Sequence, residues 1–551
     1  MQRKTPSFSY VDISCILFIF GNKVRTLTIH SIKLFGIIKV WIEHLFLNGE
    51  VDEMYSAYKI QIHKEHELFE YCDTLCFKAK NLYNITNYYI RQVYTAVKKD
   101  TRNENQLQVL MDIETHLPKM NKIRKKSYEK AKAKPKKIDK NGNIVNPELK
   151  LFEMPHHEKS FIGYGFAEAL FKVMKQVDYT SMPPQSNQQT MKKVYDDWKS
   201  FFEASKKYKM NPASFTGKPK IPKYKPKNGR TTCYLTNQIT KIKDGNVLKL
   251  PGTHLPLKLG KVAQSEGKLQ QVRILPSYGR YVVEVVFKGK QDKEIQRSEK
   301  KINELVFEPK RVMGIDLGVD NLATIVDNTG RKPLLIKGTW LKSINQYYNK
   351  LKAKYMSILR NGKGPKEGIF TTNRMISLDR KRNNRVMDFL HKASAKVVEI
   401  ALVRNIDTII IGRNVGWKLE VDMQKANKQT FIQIPYATFI EMIRYKAERK
   451  GVQVIDREES YTSKSSFLNQ DPIPTFGEEH QTIFSGYRST RAFYKIKGSK
   501  VLIHADVNGA YNIVRKHVKD AFEGLERRQF LQAPQKILIM KNRHAKLKAS
   551  A

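Results

Sequence analysis

The chain has 551 residues, of which 100 are Lys or Arg and 53 are Asp or Glu, so its formal net charge at pH 7 is +47. Because 40% of the residues are hydrophobic, the chain can bury substantial cores in about three or four domains, which excludes a disordered basic tail. Such an excess of positive charge favours a nucleic-acid partner, since lysines that neutralise phosphates give sequence-independent affinity. Four cysteines, Cys15, Cys72, Cys76 and Cys233, form no plausible disulfide framework and fit a reducing cytoplasm.

Residues 1–53 differ in texture from the rest and are predicted to be a non-core N-terminal extension, with the core beginning at Met54. Val11–Phe20 is a short apolar run, and the apolar run Ile32–Leu47 is interrupted by charged residues. Neither reaches the ~20 residues that a membrane-spanning helix needs. No membrane partner is therefore expected.

The next segments predict a short strand in residues 54–65 and then amphipathic helices in residues 66–209. From Phe215 the sequence FTGKPKIPKYKPKNGR is too rich in proline for a regular helix. The β-branched runs after it, separated by turn residues, predict strands. Residues 54–65 and 210–300 are therefore expected to form a β-barrel domain.

Carboxylates lie at the ends of two short apolar runs. The sequence RVMGIDLGVDNLATIV at 311–326 predicts a β-hairpin with Asp316 on its first strand, and VLIHADVNGAYNI at 501–513 carries Asp506. Mg²⁺ prefers oxygen ligands, and two ions about 3.5–4 Å apart can activate a water and stabilise the leaving oxygen of a phosphodiester. Paired carboxylates in so basic a protein indicate a nuclease.

Strands and helices alternate around these carboxylates. The pattern predicts a long amphipathic helix with a basic N-terminal half at 378–405, a buried strand at 407–412, a helix at 438–450 and a strand at 452–456. This alternation indicates an α/β domain of ribonuclease H type, expected over residues 301–464 and 495–520. Residues 465–494 are then an insert, and residues 521–551 a basic C-terminal tail.

The chain resembles the TnpB family of transposon-encoded, RNA-guided DNA endonucleases, which are related to Fanzor proteins and type V CRISPR effectors. The resemblance to the RuvC nuclease core lies in GIDLGVDNLATI, FLHKASAKVV, DTIIIG followed by NVGWK, EESYTSKSSFL and HADVNGAYNI. Upstream it continues through NLYNITNYYIRQ, DDWKSFF and GKPKIPKYKPK, so it covers about Met54 to Val518. It implies a mixed α/β fold with all-β and helical parts: a RuvC/ribonuclease H-like nuclease domain, a wedge-like N-terminal β-barrel and a helical recognition domain at 66–209.

The resemblance makes Asp316 the first RuvC carboxylate and Asp506 the third. In many relatives the second is a Glu at the end of the strand that here ends in Gly412. Some relatives lack that Glu and carry another before the Thr-Ser-Lys motif, where this chain has Glu458 and Glu459. Glu459 is predicted to be the second carboxylate, with Glu458 as the alternative, because strand alternation lets only one of them point inward.

Many relatives also carry cysteine pairs after the Thr-Ser-Lys motif, whereas this chain has Ser465 and Ser466 and no cysteine beyond Cys233. No zinc is therefore expected, and the insert must fold without it. Basic side chains in three segments are candidates for nucleic-acid contact: Lys218, Lys220, Lys223 and Lys225 in the Pro-Lys segment, Arg380, Lys381 and Arg382 in the long helix, and Arg488 and Arg491 in the insert.

The resemblance implies a Mg²⁺-dependent, RuvC-like endodeoxyribonuclease of a transposable element, in which Asp316, Glu459 and Asp506 hold two Mg²⁺ ions. Its implied partners are a guide RNA and target double-stranded DNA, and its implied location is the cytoplasm of a prokaryote, in association with the nucleoid. Two alternatives remain: an RNA-guided DNA-binding protein without nuclease activity, and a transposase or recombinase that acts without a guide RNA.

Overall fold

The computed structural model describes residues 55–133, 147–260, 267–288, 310–364, 367–413, 429, 431–475 and 483–540, together with the backbone of four short strands outside these ranges. The chain divides into two compact units, Glu50–Gln291 and Met1–Gly49 with Asp292–Ala551. The predicted extension 1–53 lies outside the described residues, apart from the antiparallel pair β1 (Ile16–Phe20) and β2 (Lys23–Leu27). The finer domain boundaries stay predictions.

Among the described residues of the unit Glu50–Gln291, five α-helices lie in the region where amphipathic helices were predicted. They are α1 (Phe69–Ala96), α2 (Glu104–Lys132), α3 (Tyr164–Met174), α4 (Val177–Thr180) and α5 (Ser186–Met210). The helix α2 begins with a capping box, in which the Asn103 side chain accepts from the Gln106 N–H and the Gln106 side chain accepts from the Asn103 N–H. Between α1 and α5, the buried Trp198 donates a 2.9 Å hydrogen bond to Asn87.

The strands of this unit form antiparallel sheets. The first consists, in spatial order, of β3 (Tyr55–Ile62), β11 (Arg280–Lys288), β10 (Lys268–Ser277) and β6 (Cys233–Thr236), and the second of β7 (Lys241–Lys243), β8 (Val247–Lys249) and β9 (Leu257–Lys258). A short pair, β4 (Lys137–Ile138) and β5 (Ile144–Val145), lies between α2 and α3 in the chain. The pairings of the described strands do not themselves close a barrel, and residues 261–266 lie outside the description, so closure stays a prediction.

A six-stranded mixed sheet organises the unit that contains Asp292–Ala551. Its order is β16 (Gln453–Arg457), β15 (Thr408–Gly412), β12 (Val312–Leu317), β13 (Asn321–Asp327), β14 (Leu334–Lys337) and β20 (Gln535–Ile537). The strands β12, β13 and β14 form an antiparallel meander, whereas β15 and β16 run parallel to β12. This meander with parallel strands added beside its first strand is the ribonuclease H arrangement, so the predicted mixed α/β fold class is confirmed.

Helices cover both faces of this sheet. They are α6 (Thr339–Arg360), α7 (Asn373–Val403), α8 (Tyr436–Glu448), α9 (Ala505–Arg515) and the short α10 (Arg527–Phe530). Apolar residues of α7 and α8 pack on one face of the central strands, and those of α9 pack on the other. Because both faces are covered, the central strands read as continuous apolar runs instead of alternating ones.

The end of the predicted insert and the residues that follow it form a small antiparallel sheet of β17 (Gly486–Arg488), β18 (Phe493–Ile496) and β19 (Leu502–His504). The last of these strands runs directly into α9. We refer to Gly486–Ile496 as the insert hairpin. Among the described helices of the whole chain, none is long and apolar enough to cross a membrane.

Candidate active site

Asp316 lies near the end of the central strand β12, opposite Thr324 of β13. Its position below α9 depends on a glycine in that helix, because a Cβ atom on Gly509 would lie 3.0 Å from Oδ2 of Asp316. A second glycine, Gly314, lets α9 cross the strand, since a Cβ there would lie 2.8 Å from the carbonyl oxygen of Ala510. Gly314 and Gly509 therefore allow α9 to approach the carboxylate of Asp316 closely.

Asp506 lies in the first turn of α9, where the positive end of the helix dipole stabilises a carboxylate. Its Oδ2 accepts a 2.8 Å hydrogen bond from the Asn321 amide, and its Oδ1 accepts one of 2.8 Å from Nη2 of Arg488. The Asn321 carbonyl oxygen in turn accepts a 2.6 Å bond from Lys337 Nζ. Asn321 was not predicted as a site residue, although it stands inside the GIDLGVDNLATI motif.

The adjacent glutamates after β16 have opposite environments. Glu458 points to the buried Nζ of Lys516 and also accepts a 2.7 Å bond from the Ser460 N–H. Burial would raise its pKa, but the bonds from Lys516 and Ser460 outweigh burial and hold that pKa below its usual value. Glu458 therefore serves as the partner of a buried lysine.

Glu459 turns the other way, toward β15. A Cβ atom at Gly412 would lie only 2.6 Å from Oε2 of Glu459. Its carboxylate thus occupies the space that a side chain at position 412 would need, which is the position where many relatives carry their Glu. Burial, with a smaller contribution from the charge of Glu458, raises the pKa of Glu459 to about 7.

The structure brings the three predicted carboxylates together. Burial raises the pKa of Asp316 well above its usual value, and the negative charges of Glu459 and Asp506 raise it further. Close acidic groups that oppose one another's ionisation suit a divalent cation, and an oxygen-only donor set suits Mg²⁺. In this conformation, however, no three His, Cys, Asp or Glu side chains within the described residues are arranged to hold a metal ion.

Two buried asparagines of α9 hold the Thr-Ser-Lys loop against the helix. Asn508 accepts a 2.9 Å bond from the Phe467 N–H and donates a 2.8 Å bond to the Ser465 carbonyl. Asn512 donates to the Thr462 carbonyl at 2.8 Å and to that of Ser465 at 2.7 Å. These contacts fix the loop that follows Glu459, and the only signal for them in the sequence was the spacing of the asparagines in DVNGAYN.

The Pro-Lys segment lies along α1 as an extended strap, which we define as residues 221–227. Side chains of α1 bind its carbonyl oxygens: Asn87 and Arg91 donate to Pro222 at 3.0 and 2.6 Å, Asn84 donates to Lys225 at 3.0 Å, and Lys80 donates to Lys227 at 2.7 Å. The α1 residues follow helical spacing, so the strap is held along about three turns.

Lysine side chains of this region face solvent. Of the four predicted nucleic-acid contacts here, Lys218, Lys220 and Lys223 are exposed, and Lys225 is half-buried with its Nζ 4.3 Å from the Tyr83 ring centroid. Residues 204–243 contain eleven Lys or Arg and no Asp or Glu. Among the described residues, none of the strap lysines has a carboxylate at ion-pair distance, which leaves their charge available to a polyanion.

The other predicted contacts have different surroundings. On α7, Lys381 is exposed and Arg380 donates to Ser377 at 3.1 Å, whereas Arg382 donates to Asn345 at 2.9 Å and to the Gln433 carbonyl at 2.7 Å. Arg382 thus braces α7 inside the protein.

In the insert, Arg488 and Arg491 are exposed, yet both form ion pairs with acidic residues beside the site. Arg488 pairs with Asp506 and Arg491 pairs with Asp320.

Two family models match the chain. A transposase family described as "Probable transposase" matches residues 290–418, and the TNB domain of Cas12f1-like proteins matches residues 436–513. Among curated proteins no relative matches. The two matched segments contain all three carboxylates and the insert hairpin.

Solved structures also resemble the chain at low identity. A Cas12f1–sgRNA–target DNA complex is 15% identical over 84% of this chain and 98% of that chain, with a TM-score of 0.27. A CRISPR-Cas12f ternary complex is 12% identical over 86% and 99%, with a TM-score of 0.29. The C2c1 protein of Alicyclobacillus acidoterrestris with single-guide RNA is 9% identical over 86% and 89%, with a TM-score of 0.33. The two family matches, to residues 290–418 and 436–513, confirm the resemblance seen in the sequence: over these segments the chain is similar to TnpB-like proteins.

Proposed function

We propose that the protein is an RNA-guided DNA endonuclease of a transposable element that hydrolyses phosphodiesters at Asp316, Glu459 and Asp506. The observation that carries the proposal is the convergence of these carboxylates from three separate parts of the chain. Glu459 and Asp506 lie close enough to Asp316 for their negative charges to add to the effect of burial and raise its pKa. Neighbouring carboxylates that oppose one another's ionisation are a cost to folding that a functional site explains.

The three carboxylates would hold Mg²⁺, which when bound lowers the pKa of a coordinated water and stabilises charge on the leaving oxygen. The chain's own residues prepare the site for this. Asn321 orients Asp506, α9 covers Asp316, and the Thr-Ser-Lys loop directs Glu459 inward. Glu459 must lose its proton to bind a cation, so its raised pKa makes the site more competent as the pH rises through about 7.

The strap and the exposed Lys381 would contact the phosphate backbone. Lysines held on a fixed strap neutralise phosphates without reading bases, so sequence choice would belong to base pairing between a guide RNA and one DNA strand. The solved Cas12f1 complex contains an sgRNA and target DNA, and we propose the same kinds of partner here. Such a nuclease would act where its DNA lies, in the cytoplasm of a prokaryote.

The test is sequencing of RNA that copurifies with the protein expressed from its native locus, followed by Mg²⁺-dependent cleavage of a plasmid library matched to that RNA. One enriched RNA with cleavage at matched targets is expected. Asp316→Ala and Asp506→Ala should each abolish cleavage and leave RNA binding intact, since both are small changes at the site. Enriched RNA without cleavage by the wild type would instead identify a guided binding protein, and no enriched RNA would favour a transposase without a guide.

A further inference from the structure

Both carboxylate oxygens of Asp506 have partners in the protein itself. The Asn321 amide takes Oδ2 and Nη2 of Arg488 takes Oδ1, each at 2.8 Å. A divalent cation at this site would need at least one of these oxygens. Each oxygen keeps a second lone pair, so a neutral donor such as Asn321 can stay in place while a metal ion binds. The positive charge of Arg488 beside Oδ1 instead repels a divalent cation, so this guanidinium must move away for Asp506 to bind a metal ion at its full affinity.

The two donors differ in charge and in mobility. Asn321 is neutral and buried on the central sheet, with its carbonyl oxygen bonded to Lys337. Arg488 is a cation on the insert hairpin, and 45% of its side chain is exposed. Asn321 is thus a permanent positioning residue for Asp506, whereas the guanidinium of Arg488 stands where a cation would otherwise neutralise the carboxylate.

The insert hairpin holds Arg488 in this place. Nε and Nη2 of Arg488 donate to the carbonyl oxygen of Arg491, at 3.1 and 2.6 Å. Arg491 itself forms an ion pair with Asp320, which lies just after β12. Asp320 also accepts a 3.3 Å hydrogen bond from Lys342. The hairpin therefore contacts the acidic rim of the site at two points, and both contacts are ion pairs.

These ion pairs are suited to exchange. The arginine side chains of both pairs are largely exposed, and ion pairs at the surface contribute little to stability, so replacing the carboxylate by another anion costs little. A guanidinium can bind a phosphate through two parallel N–H donors, whereas Arg488 donates to Asp506 through Nη2. A nucleic-acid strand entering the site would bring such phosphates to Arg488.

We infer that Arg488 blocks the metal position at Asp506 in the free protein and is released from it by a nucleic-acid phosphate. This inference rests on the proposed function, since it assumes that the carboxylates bind a divalent cation. The consequence is a nuclease whose site is completed only when nucleic acid is present.

The experiment measures Mn²⁺ binding to the full-length protein, without nucleic acid, by electron paramagnetic resonance of the free ion. Arg488→Gln should bind Mn²⁺ about threefold or more tightly than the wild type, as expected for removing a competing exposed ion pair. Lys497→Gln, which removes a charge from the exposed end of the same insert region, should match the wild type. In an Asp506→Asn background the effect of Arg488→Gln should vanish, because the two residues act on one another.

A second titration adds a short single-stranded oligonucleotide, with the Mn²⁺ bound by the oligonucleotide alone subtracted. The affinity of the wild type for Mn²⁺ should then rise to that of Arg488→Gln, which itself should not change. Equal Mn²⁺ affinity of Arg488→Gln and Lys497→Gln would overturn the blocking role, and an unchanged wild type would overturn release by phosphate. Absence of Mn²⁺ binding in every variant would instead reject the proposed metal-dependent nuclease.

Discussion

At the scale of single residues, neighbours in the chain acquire opposite electrostatic roles. Glu458 and Glu459 differ by one position, yet Lys516 and Ser460 hold the pKa of Glu458 low while burial raises the pKa of Glu459 to about 7. The strand direction at the end of β16 sends their side chains to opposite sides. The proposed catalytic Glu is therefore the one whose ionisation the fold opposes.

This difference predicts opposite effects on stability. Between pH 4.5 and about 7 the folded protein keeps a proton on Glu459 that the unfolded chain has lost, so stability falls as pH rises through that window. At pH 8, without metal, Glu459→Gln should raise the free energy of unfolding by about 3 kcal/mol, and the gain should disappear near pH 4.5. Thermal unfolding at both pH values measures this.

Glu458→Gln is the matched control, and its effect should have the opposite sign. Its lowered pKa contributes stability above the ordinary pKa of Glu, and the contribution is lost as pH falls through the lower folded pKa. At pH 8 the variant also leaves the buried Lys516 without its carboxylate. Equal responses of the two variants would contradict the assigned environments.

A relocation of the carboxylate tests the role of Glu459 directly. Glu459→Ala should reduce cleavage about 100-fold or more. Adding Gly412→Asp should restore part of it, because an aspartate there carries its oxygens two bonds beyond the Cβ that would lie 2.6 Å from Oε2 of Glu459.

All proteins in that series carry Ile513→Val, since the Cδ1 of Ile513 would lie 2.5 Å from a Cβ at 412. Cleavage by each variant is compared with that of Ile513→Val alone under single-turnover conditions. Undiminished cleavage by the Glu459→Ala protein would show that Glu459 is not the second carboxylate.

At the scale of elements, the conformation of the strap depends both on its own sequence and on its tertiary contacts with α1. Its prolines favour an extended backbone, and side chains of α1 hold that backbone by its carbonyl oxygens. Asn84 binds Lys225 twice, donating to its carbonyl at 3.0 Å and accepting from its N–H at 2.8 Å. The lysines therefore present their charge from a fixed line and need little ordering on binding.

Replacing Lys223 and Lys227 by Gln should weaken single-stranded nucleic-acid binding and reduce its salt dependence. Two lost phosphate contacts lower the slope of log K against log salt by about 1.4. Lys172 and Lys199, which already pair with Glu168 and Glu203, provide the charge-matched control pair. Fluorescence anisotropy at several salt concentrations measures the slopes.

An additional variant, Asn84→Ala, keeps the charges and removes the anchor. We expect weaker binding with an unchanged slope, because the same lysines must now be ordered at the cost of entropy. A slope for Lys223→Gln/Lys227→Gln equal to that of the control pair would contradict the role of the strap in phosphate binding.

At the scale of the whole molecule, the net charge is +47, and the three carboxylates form a local cluster of negative charge in this basic protein. Both units have their own hydrophobic cores, one among the helices and antiparallel sheets and one on each face of the mixed sheet. The carboxylates belong to one unit and the strap to the other. Mutations are thus expected to separate the proposed catalysis from binding of the nucleic-acid phosphate backbone.

The sequence by itself determined the fold class and pointed to the two aspartates as candidate site residues, because both depend on local signals. Apolar runs ending in Asp316 and the alternation of strands with helices are read directly from residue order, and the resemblance gave Asp506 its role. The glycines at 314 and 509 were also visible in the sequence, but the sequence did not show that the helix containing Gly509 crosses the strand at Gly314.

Only the tertiary structure decided which glutamate faces the site, that Asn321 and Arg488 hold Asp506, and that Arg382 braces α7. These features depend on side chains that are distant in the chain and meet across packed elements, such as Arg488 and Asp506. Their pairing is set by strand register and helix crossing, which the residue pattern of one segment does not encode. Local chemistry therefore suggested the proposed ligands of the site, and packing determined which charges oppose or neutralise them.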